Sequence, residues 1–453
     1  MAPVVKNQKI HLSIDDLTNQ GAGVGHYQGF TLFVPGMLPG EEGEVLVVQV
    51  KKQYGYGKLL ELTKTSPDRI TPACGYFPKC GGCLLQHMSY EAQLAWKQRQ
   101  VYELIRRVGG IELPELPAIV GMSAEERGFY RNKAQFPVRM IDGRMQAGFF
   151  APRSHRLIPI EECKIQSQVS NRLLPLILDF CNTHGITAYD EETGRGLVRH
   201  ILIRDGRRSG EVLVCFVING KKLPHEAELS QMLLAEGVTS VSVNVNTQNT
   251  NVILGEVTRT IGGSKQIHAE IGPLKFMISP QSFFQVNPIQ TERLYGAALE
   301  MAALTGKETV WDAYCGAGTI SLFLAQKAQH VYGVEIVDAA IQDARANAKL
   351  NGIENVTFFT GEAEKIIPDH YKQTGIRPDV MVVDPPRAGC DSALLDTILQ
   401  MHPERMVYVS CDPGTLARDL KYLAAGGMHV QEVRCVDMFP ETGHVETVVL
   451  LSR

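Results

Sequence analysis

No apolar run in this 453-residue sequence approaches the roughly 20 residues of a membrane helix. The N-terminal region also has no apolar stretch of signal-peptide length. The expectation is therefore a cytoplasmic protein with no membrane partner. Net charge is nearly absent too. A balance of −4 gives no sign of a uniformly basic nucleic-acid binder, although a local basic face binds phosphate whatever the total. Cysteine, by contrast, is not scarce. Ten cysteines in a reducing compartment point away from a disulfide framework and toward thiol chemistry or metal ligation. One core is not enough for this length, so roughly two to four domains are expected. With 44% hydrophobic and 21% charged residues, the composition is that of folded globular domains.

Residues 1–65 read as a small β domain. Ile10-His11-Leu12-Ser13-Ile14 alternates, and Gly21-Ala22-Gly23-Val24-Gly25 and Gly40-Glu41-Glu42-Gly43 separate further apolar runs. Short strands split by glycine turns suggest a five-stranded barrel of the OB type. Lys51, Lys52, Tyr54, Tyr56 and Lys58 interleave charge with aromatic rings, as single-strand-binding surfaces do.

Cys74, Cys80 and Cys83 follow, three thiols in ten residues with glycines and a proline among them. A fourth soft ligand is required, and Cys163 is the best candidate. Four thiolates suit either tetrahedral zinc or an iron–sulfur cluster, and spacing does not separate the two. Residues 90–107 read as a helix, with Leu94, Val101, Leu104 and Ile105 on one face. Residues from about 115 to 280 read as rich in strands. Between Arg127 and Arg156 there are seven Lys or Arg residues and a single acid, Asp142. Phe129, Tyr130, Phe149 and Phe150 are interleaved with them, making this the best surface in the chain for phosphate contact and base stacking.

The last third reads as a parallel sheet with helical crossovers. Thr309 to Tyr314 is a strand, Cys315-Gly316-Ala317-Gly318-Thr319 a turn, and His330 to Glu335 a strand ending in an acid. This is a nucleotide-binding half, with Glu335 placed to bond ribose hydroxyls. The third glycine that a dinucleotide pyrophosphate demands is missing, and Ser321 stands there. S-adenosylmethionine has no phosphate and sets no such demand. Asp384-Pro385-Pro386 ends another strand and fixes an extended turn. Arg387 follows where amine-methylating enzymes carry an aromatic residue, which suits a site that holds a uracil carbonyl or a phosphate.

Ser410-Cys411-Asp412-Pro413-Gly414 sits where a chain leaves the carboxyl edge of a sheet, which is where ligands bind in open α/β folds. A thiolate there would be exposed, and could add to carbon 6 of a pyrimidine so that carbon 5 becomes nucleophilic. A base must afterwards remove the carbon 5 proton. Glu446 stands in the apolar run Val445 to Leu451, where an acid needs a reason to be present. Burial would raise its pKa to suit that task. The base acted on must leave its stack to reach such a pocket.

Together these residues resemble the RNA (uracil-5)-methyltransferase family over nearly the whole chain. The resemblance implies an α/β architecture: a C-terminal Rossmann-like (class I) S-adenosylmethionine-dependent methyltransferase domain, an N-terminal OB-like TRAM barrel and a β-rich central domain. It implies domains at 1–65 (RNA-binding barrel), at 66–89 with 115–280 (central, holding the cluster), and at 90–114 with 281–453 (catalytic). Ser282-Phe283-Phe284-Gln285-Val286-Asn287, Asp312 to Gly318, Ser410 to Pro413 and His444 to Val448 are similar to family segments. They imply Cys411 as nucleophile and Glu446 as proton acceptor. They also imply Gln285, Tyr314, Gly316, Gly318, Thr319, Glu335 and Asp384 as contacts of S-adenosylmethionine. Tyr130-Arg131-Asn132-Lys133 resembles a segment facing RNA, so Arg131, Asn132, Lys133, Phe149 and Arg387 are the expected RNA contacts. Cys74, Cys80, Cys83 and Cys163 match members that hold a 4Fe–4S cluster. Members with both barrel and cluster are mostly 23S rRNA enzymes, some of which modify two sites. The resemblance therefore implies a monomeric enzyme that makes 5-methyluridine from a flipped uridine in a 23S rRNA loop. A tRNA enzyme, an iron–sulfur redox enzyme acting on RNA and a non-catalytic RNA-binding protein are the alternatives.

Overall fold

The computed structural model describes residues 2–453, and the chain divides into two compact units. The first comprises Met1–Gln100, Phe150–Ser154 and Phe439–His444. Its main feature is a closed barrel of β1 (Lys9–Leu17), β2 (Ala22–Tyr27), β3 (Phe30–Pro35), β4 (Glu42–Val50) and β5 (Tyr54–Lys64), in the order β1-β2-β3-β5-β4. Alternation along β1 turns Ile10, Leu12 and Ile14 inward, where they meet Leu32, Val34, Val45 and Val47. Closure leaves no room for a side chain at Gly57, whose Cβ would lie 2.3 Å from Val45 Cγ1. A second small core lies under the start of α1 (Tyr90–Arg107), where Trp96 packs with Leu17, Leu38, Leu85 and Met88.

The second unit holds Val101–Phe149, His155–Met438 and Val445–Arg453. After the single-turn α2 (Ala124–Arg127) come β6 (Lys133–Ile141), β7 (Arg144–Phe150), β8 (Leu157–Pro159), α3 (Gln168–Thr183), β9 (Val198–Asp205), β10 (Val212–Ile218), α4 (Glu226–Ala235), β11 (Ser240–Val245) and β12 (Val257–Gly263). Their strands form a seven-stranded sheet ordered β12-β11-β10-β9-β6-β7-β8. Val-Leu-Val-Cys-Phe-Val-Ile in β10 is wholly buried, as a central strand covered on both faces must be.

A hairpin of β13 (Ile267–Ile271) and β14 (Leu274–Ile278) leads into α5 (Pro288–Ala302) and the second sheet. That sheet is built by β15 (Thr309–Ala313), α6 (Thr319–Ala325), β16 (His330–Glu335), α7 (Asp338–Leu350), β17 (Val356–Thr360), α8 (Ala363–Thr374), β18 (Val380–Val383), α9 (Ser392–Met401), β19 (Arg405–Ser410), α10 (Pro413–Ala425), β20 (His429–Val436) and β21 (Glu446–Ser452). The strand order is β17-β16-β15-β18-β19-β21-β20. Strands β15 to β19 are parallel and reached by helical crossovers. The expectation of a parallel sheet holds only that far. β21 runs antiparallel to both β19 and β20. The chain passes from β20 to β21 through residues 437–445 without a helix, and a return without a helical crossover reverses strand direction. Val120 adds a bridge beside Val436, so a short piece from before the first sheet lines the edge of the second. Among the described residues no helix is long and apolar enough to cross a membrane.

Candidate active site

The sheet register brings the sequence-singled residues of the second unit to one edge. Ala313 pairs with Val334 and with Val383, and Val383 with Tyr408. Tyr314, Glu335 and Asp384 therefore leave neighbouring strands at the same level. Ser410 pairs with Thr447, so the next step along each strand sets Cys411 against Glu446. All five lie at the carboxyl ends of the parallel strands or directly beside them.

The turn after β19 fixes Cys411. Ser410 Oγ donates to the Asp412 carbonyl at 3.0 Å and accepts from the Asp412 N–H at 3.2 Å. Asp412 caps α10, its Oδ1 accepting from the N–H groups of Gly414 at 2.9 Å and Thr415 at 3.1 Å. Pro413 occupies the first turn, where no N–H is needed. The diproline loop is tied to the same helix. Buried Asp419 accepts from Cys390 N–H at 2.8 Å, and Arg418 donates to the Ala388 carbonyl at 2.9 Å. Gly389 has φ +80° and a Cβ there would lie 2.6 Å from Asp419 Oδ2, so this close approach requires glycine.

Electrostatics at this edge are dominated by carboxyl groups. Burial pushes the Glu446 carboxyl up to about 8; Asp384 adds to the rise and Arg387 opposes it. Burial holds Asp384 up at about 7. Asp312 is also raised to about 7, by burial first and then by Asp384 and Glu335, against a 2.5 Å hydrogen bond from Ser321 Oγ. Its second oxygen, Oδ1, is buried with no partner. The Cys411 thiol is half-buried, not exposed, and rises to about 11, because burial and the charges of Glu446 and Asp384 outweigh Arg387. It rests as a thiol in this state, in contrast to the exposed thiolate expected from its place after a strand.

Around these groups the loop after β15 is tightly shaped. Tyr314 takes a left-handed φ of +67°, and its hydroxyl accepts from Asp391 N–H at 3.5 Å. Gly316 and Gly318 have φ of +54° and +79°, and a Cβ on Gly318 would lie 3.0 Å from the Phe358 ring. Thr319 Oγ1 is 3.0 Å from the hydroxyl of buried Tyr295. Glu335 is half-buried, and one of its oxygens accepts from Val337 N–H at 2.9 Å. Gln285 is half-buried, and its carbonyl accepts from the Asn132 side chain at 3.1 Å.

Most of the basic segment lies in the same unit, while Phe150 and Arg153 belong to the first. Asn132 is 5% exposed and committed to the chain around Gln285. Arg131 and Lys133 are half-buried, and Phe149 packs on Phe136 with ring centroids 5.4 Å apart. Burial lowers Lys133 to about 7, and Arg204 and Arg131 lower it further in the same direction. Arg204, a buried cation in β9, donates to the Ser282 carbonyl at 2.6 Å, while its Nε is without a partner. Arg387 is exposed. In the first unit Cys74, Cys80 and Cys83 are all half-buried on one loop. Gly82 N–H donates to Cys80 Sγ at 3.4 Å, and burial and then Cys74 raise the Cys80 thiol. Cys163 is half-buried in the second unit, its N–H held by Asn171 Oδ1 at 2.9 Å.

Asp312, Tyr295 and Arg204 belong to this edge or its surroundings without having been singled out from sequence. For Asp312 and Arg204 a signal was present, the same one that marked Glu446: a charged residue inside an apolar strand run. Tyr295 in α5 offered none.

A family model described as tRNA (Uracil-5-)-methyltransferase matches residues 264–453, and one described as TRAM domain matches residues 3–60. An uncharacterized RNA methyltransferase of Halalkalibacterium halodurans is 51% identical over 453 residues, covering 100% of this chain and 98% of that protein. The chain belongs to the RNA (uracil-5)-methyltransferase family. It is an RNA methyltransferase with a TRAM barrel. Another relative, an uncharacterized RNA methyltransferase of Listeria innocua, is 48% identical over 448 residues, covering 99% of this chain and 98% of that one. Among solved structures, the tRNA (uracil-54, C5)-methyltransferase of Pyrococcus abyssi, in complex with S-adenosyl-L-homocysteine, is similar to this methyltransferase. Its TM-score is 0.78 at 26% identity, covering 98% of this chain and 100% of that one.

Proposed function

We propose that this RNA methyltransferase uses S-adenosylmethionine to methylate carbon 5 of a uridine in 23S rRNA through a covalent Cys411 adduct. The observation that carries the reading is the placement of Cys411 against Glu446 by the β19–β21 register. The donor site fits a cationic methyl donor. Asp312, Glu335, Asp384 and Glu446 converge there, and Asp312 Oδ1 is buried with no partner. Gln285, Tyr314, Gly316, Gly318, Thr319, Glu335 and Asp384 would hold S-adenosylmethionine, which supplies an electrophilic methyl group on a sulfonium.

Cys411 Sγ loses its proton to solvent, leaving Glu446 unprotonated, and bonds to carbon 6 of the flipped uracil. The electrons of the 5,6 double bond shift toward the 4-carbonyl and make carbon 5 nucleophilic. Arg387, the cation that opposes the rise at both Cys411 and Glu446, favours the thiolate and the developing enolate. Once carbon 5 carries the methyl group, Glu446 takes its proton. The 5,6 double bond re-forms and Cys411 leaves as thiolate. A base with its pKa raised to about 8 is strong enough for a carbon acid yet accessible near neutral pH.

Arg131, Lys133, Phe149 and Arg387 contact the RNA in this reading, with Asn132 holding the segment beside Gln285. The barrel, with Tyr54 and Tyr56 on its surface, binds RNA as well. Cys74, Cys80, Cys83 and Cys163 hold a 4Fe–4S cluster. Three half-buried soft thiols and the Gly82 N–H to Cys80 sulfur are compatible with that group. Its role is structural, tying the 74–83 loop to the chain around 163. The enzyme is cytoplasmic and monomeric.

A second reading, methylation of tRNA, is favoured by the tRNA uridine named for the Pyrococcus abyssi enzyme and by the tRNA substrate in the matched family description. Mass mapping of rRNA and tRNA from cells with and without the protein decides between them. Loss of 5-methyluridine from 23S rRNA alone supports the first reading, and its loss from tRNA overturns it.

A further inference from the structure

Away from this edge, two histidines and a glutamate converge where the C-terminus of α3 meets the N-terminus of α4. His184 caps the C-terminus of α3, and His225 precedes α4, which carries Glu228 in its first turn. One nitrogen from each ring and one carboxylate oxygen all lie within 4.8 Å of one another. His184 Nε2 is 3.3 Å and His225 Nδ1 3.7 Å from the same oxygen, Glu228 Oε2.

Three details point to a ligand. His184 Nδ1 lies 3.0 Å from the Phe180 carbonyl, which can only accept, so the proton of a neutral ring sits on Nδ1. Nε2 then faces a carboxylate oxygen, and either a proton on that nitrogen or a metal cation between the two atoms would satisfy the pair. A ring whose other nitrogen donates to a backbone carbonyl is the usual setting of a metal-bound histidine. His225 stands at the N-cap position of α4 with a left-handed φ of 56°, yet its side chain makes no capping bond. It turns instead toward His184, with ring centroids 4.4 Å apart. Finally, tetrahedral zinc with arms of about 2.0–2.1 Å separates its ligand atoms by about 3.3 Å. The two separations from Glu228 Oε2 match or slightly exceed that, and the two ring nitrogens lie within 4.8 Å of each other, so the three atoms draw together to complete the site.

We propose that His184, His225 and Glu228 bind a zinc ion that staples the C-terminus of α3 to the N-terminus of α4, with water in the fourth position. Two imidazoles and one carboxylate select zinc over magnesium or calcium, which prefer all-oxygen sites. His184 is the least accessible of the three, with 19% of its side chain exposed against 49% for His225 and 62% for Glu228, so the ion enters from solvent.

The test is a zinc titration of the full-length protein, purified with its cysteine metal content measured, beside His225→Asn and Glu228→Gln. Asparagine tolerates the left-handed backbone at 225, which keeps the fold. The wild type is expected to bind one more equivalent of zinc than either variant and to gain a zinc-dependent rise in Tm that both variants lack. Losing a ligand should weaken binding by more than the roughly 10- to 100-fold cost of losing an outer-shell partner. Cobalt at the site should give weak visible bands without the thiolate charge-transfer absorption of a cysteine site. Equal zinc stoichiometry and equal zinc response in wild type and variants would overturn the proposal and leave an ordinary ion pair. Thiolate charge transfer on every bound cobalt would overturn it too.

Discussion

Ser410 of β19 is paired with Thr447 of β21, which puts Cys411 and Glu446 face to face across two antiparallel strands. Glu446 opens β21, the second strand of the β20–β21 arm, and is the one acid in an apolar run. The β19–β21 ladder sets the level of the two groups, and the hydrogen-bonded turn at 410–412 fixes Cys411 one residue beyond it.

Cys411→Ala should abolish methyl transfer, a loss on the order of 10⁴-fold or more, because in the proposed mechanism no other group supplies the covalent step. S-adenosylmethionine affinity, measured by calorimetry, should stay within about twofold of wild type, since the proposed donor contacts lie on other strands. Turnover surviving the change would rule out the adduct.

Glu446→Gln should let addition and methylation proceed and stop elimination, trapping a protein–RNA adduct visible as a denaturant-stable band. Normal product release would show that Glu446 is not the base. The same variant carries a stability signature. The wild-type carboxyl is raised from 4.5 to about 8, so the folded state binds the extra proton between those values and stability falls as pH climbs through that window. The slope is at most about 1.4 kcal/mol per pH unit for one group. The Tm of Glu446→Gln should therefore gain on wild type from pH 5 to pH 8 and hold constant above; parallel Tm curves would contradict the burial argument.

For the free enzyme, kcat/KM should rise with pH across the range set by Glu446 at about 8 and Cys411 at about 11, since the proposed mechanism needs both without their protons. Arg387→Ala removes the cation that opposes both rises, so the ascending limb should move to higher pH and the rate at neutral pH should fall about 10²-fold. A pH profile unchanged in that variant would separate Arg387 from the chemistry.

Lys133, lowered to about 7, is uncharged above that pH and gains its charge below it. The RNA affinity of wild type relative to Lys133→Met should therefore grow as pH falls from 8 to 6. At pH 6 the variant's salt dependence should be shallower by about one unit of slope. Filter binding at two pH values and several salt concentrations checks both.

Removing iron from the protein, or making Cys80→Ala, should lower Tm and weaken RNA binding while sparing S-adenosylmethionine binding. Cluster loss with fold and RNA affinity intact would refute the structural role.

Local pattern was enough to read the barrel, the strand–turn–helix of the cofactor loop and the strand that ends at Cys411, because each depends on nearest neighbours along the chain: alternation in β1, glycines after β15, an apolar run in β19. The oddity of Glu446 was legible for the same reason, since an acid among buried residues violates its own strand's pattern. Other features depend on partners far along the chain. The reversal of β21, the coupling of Asp312 to Asp384 and the pairing of Arg204 with Lys133 across β9 and β6 are set by those distant partners, even though Asp312, Arg204 and Lys133 each stand out in their own segments. So the sequence by itself determined which residue types could do the chemistry and on which strand ends they stand. Only the tertiary structure decided which of them meet, and what protons they carry. Meeting depends on strand register, and pKa depends on burial and neighbouring charge, and neither exists before the chain has folded.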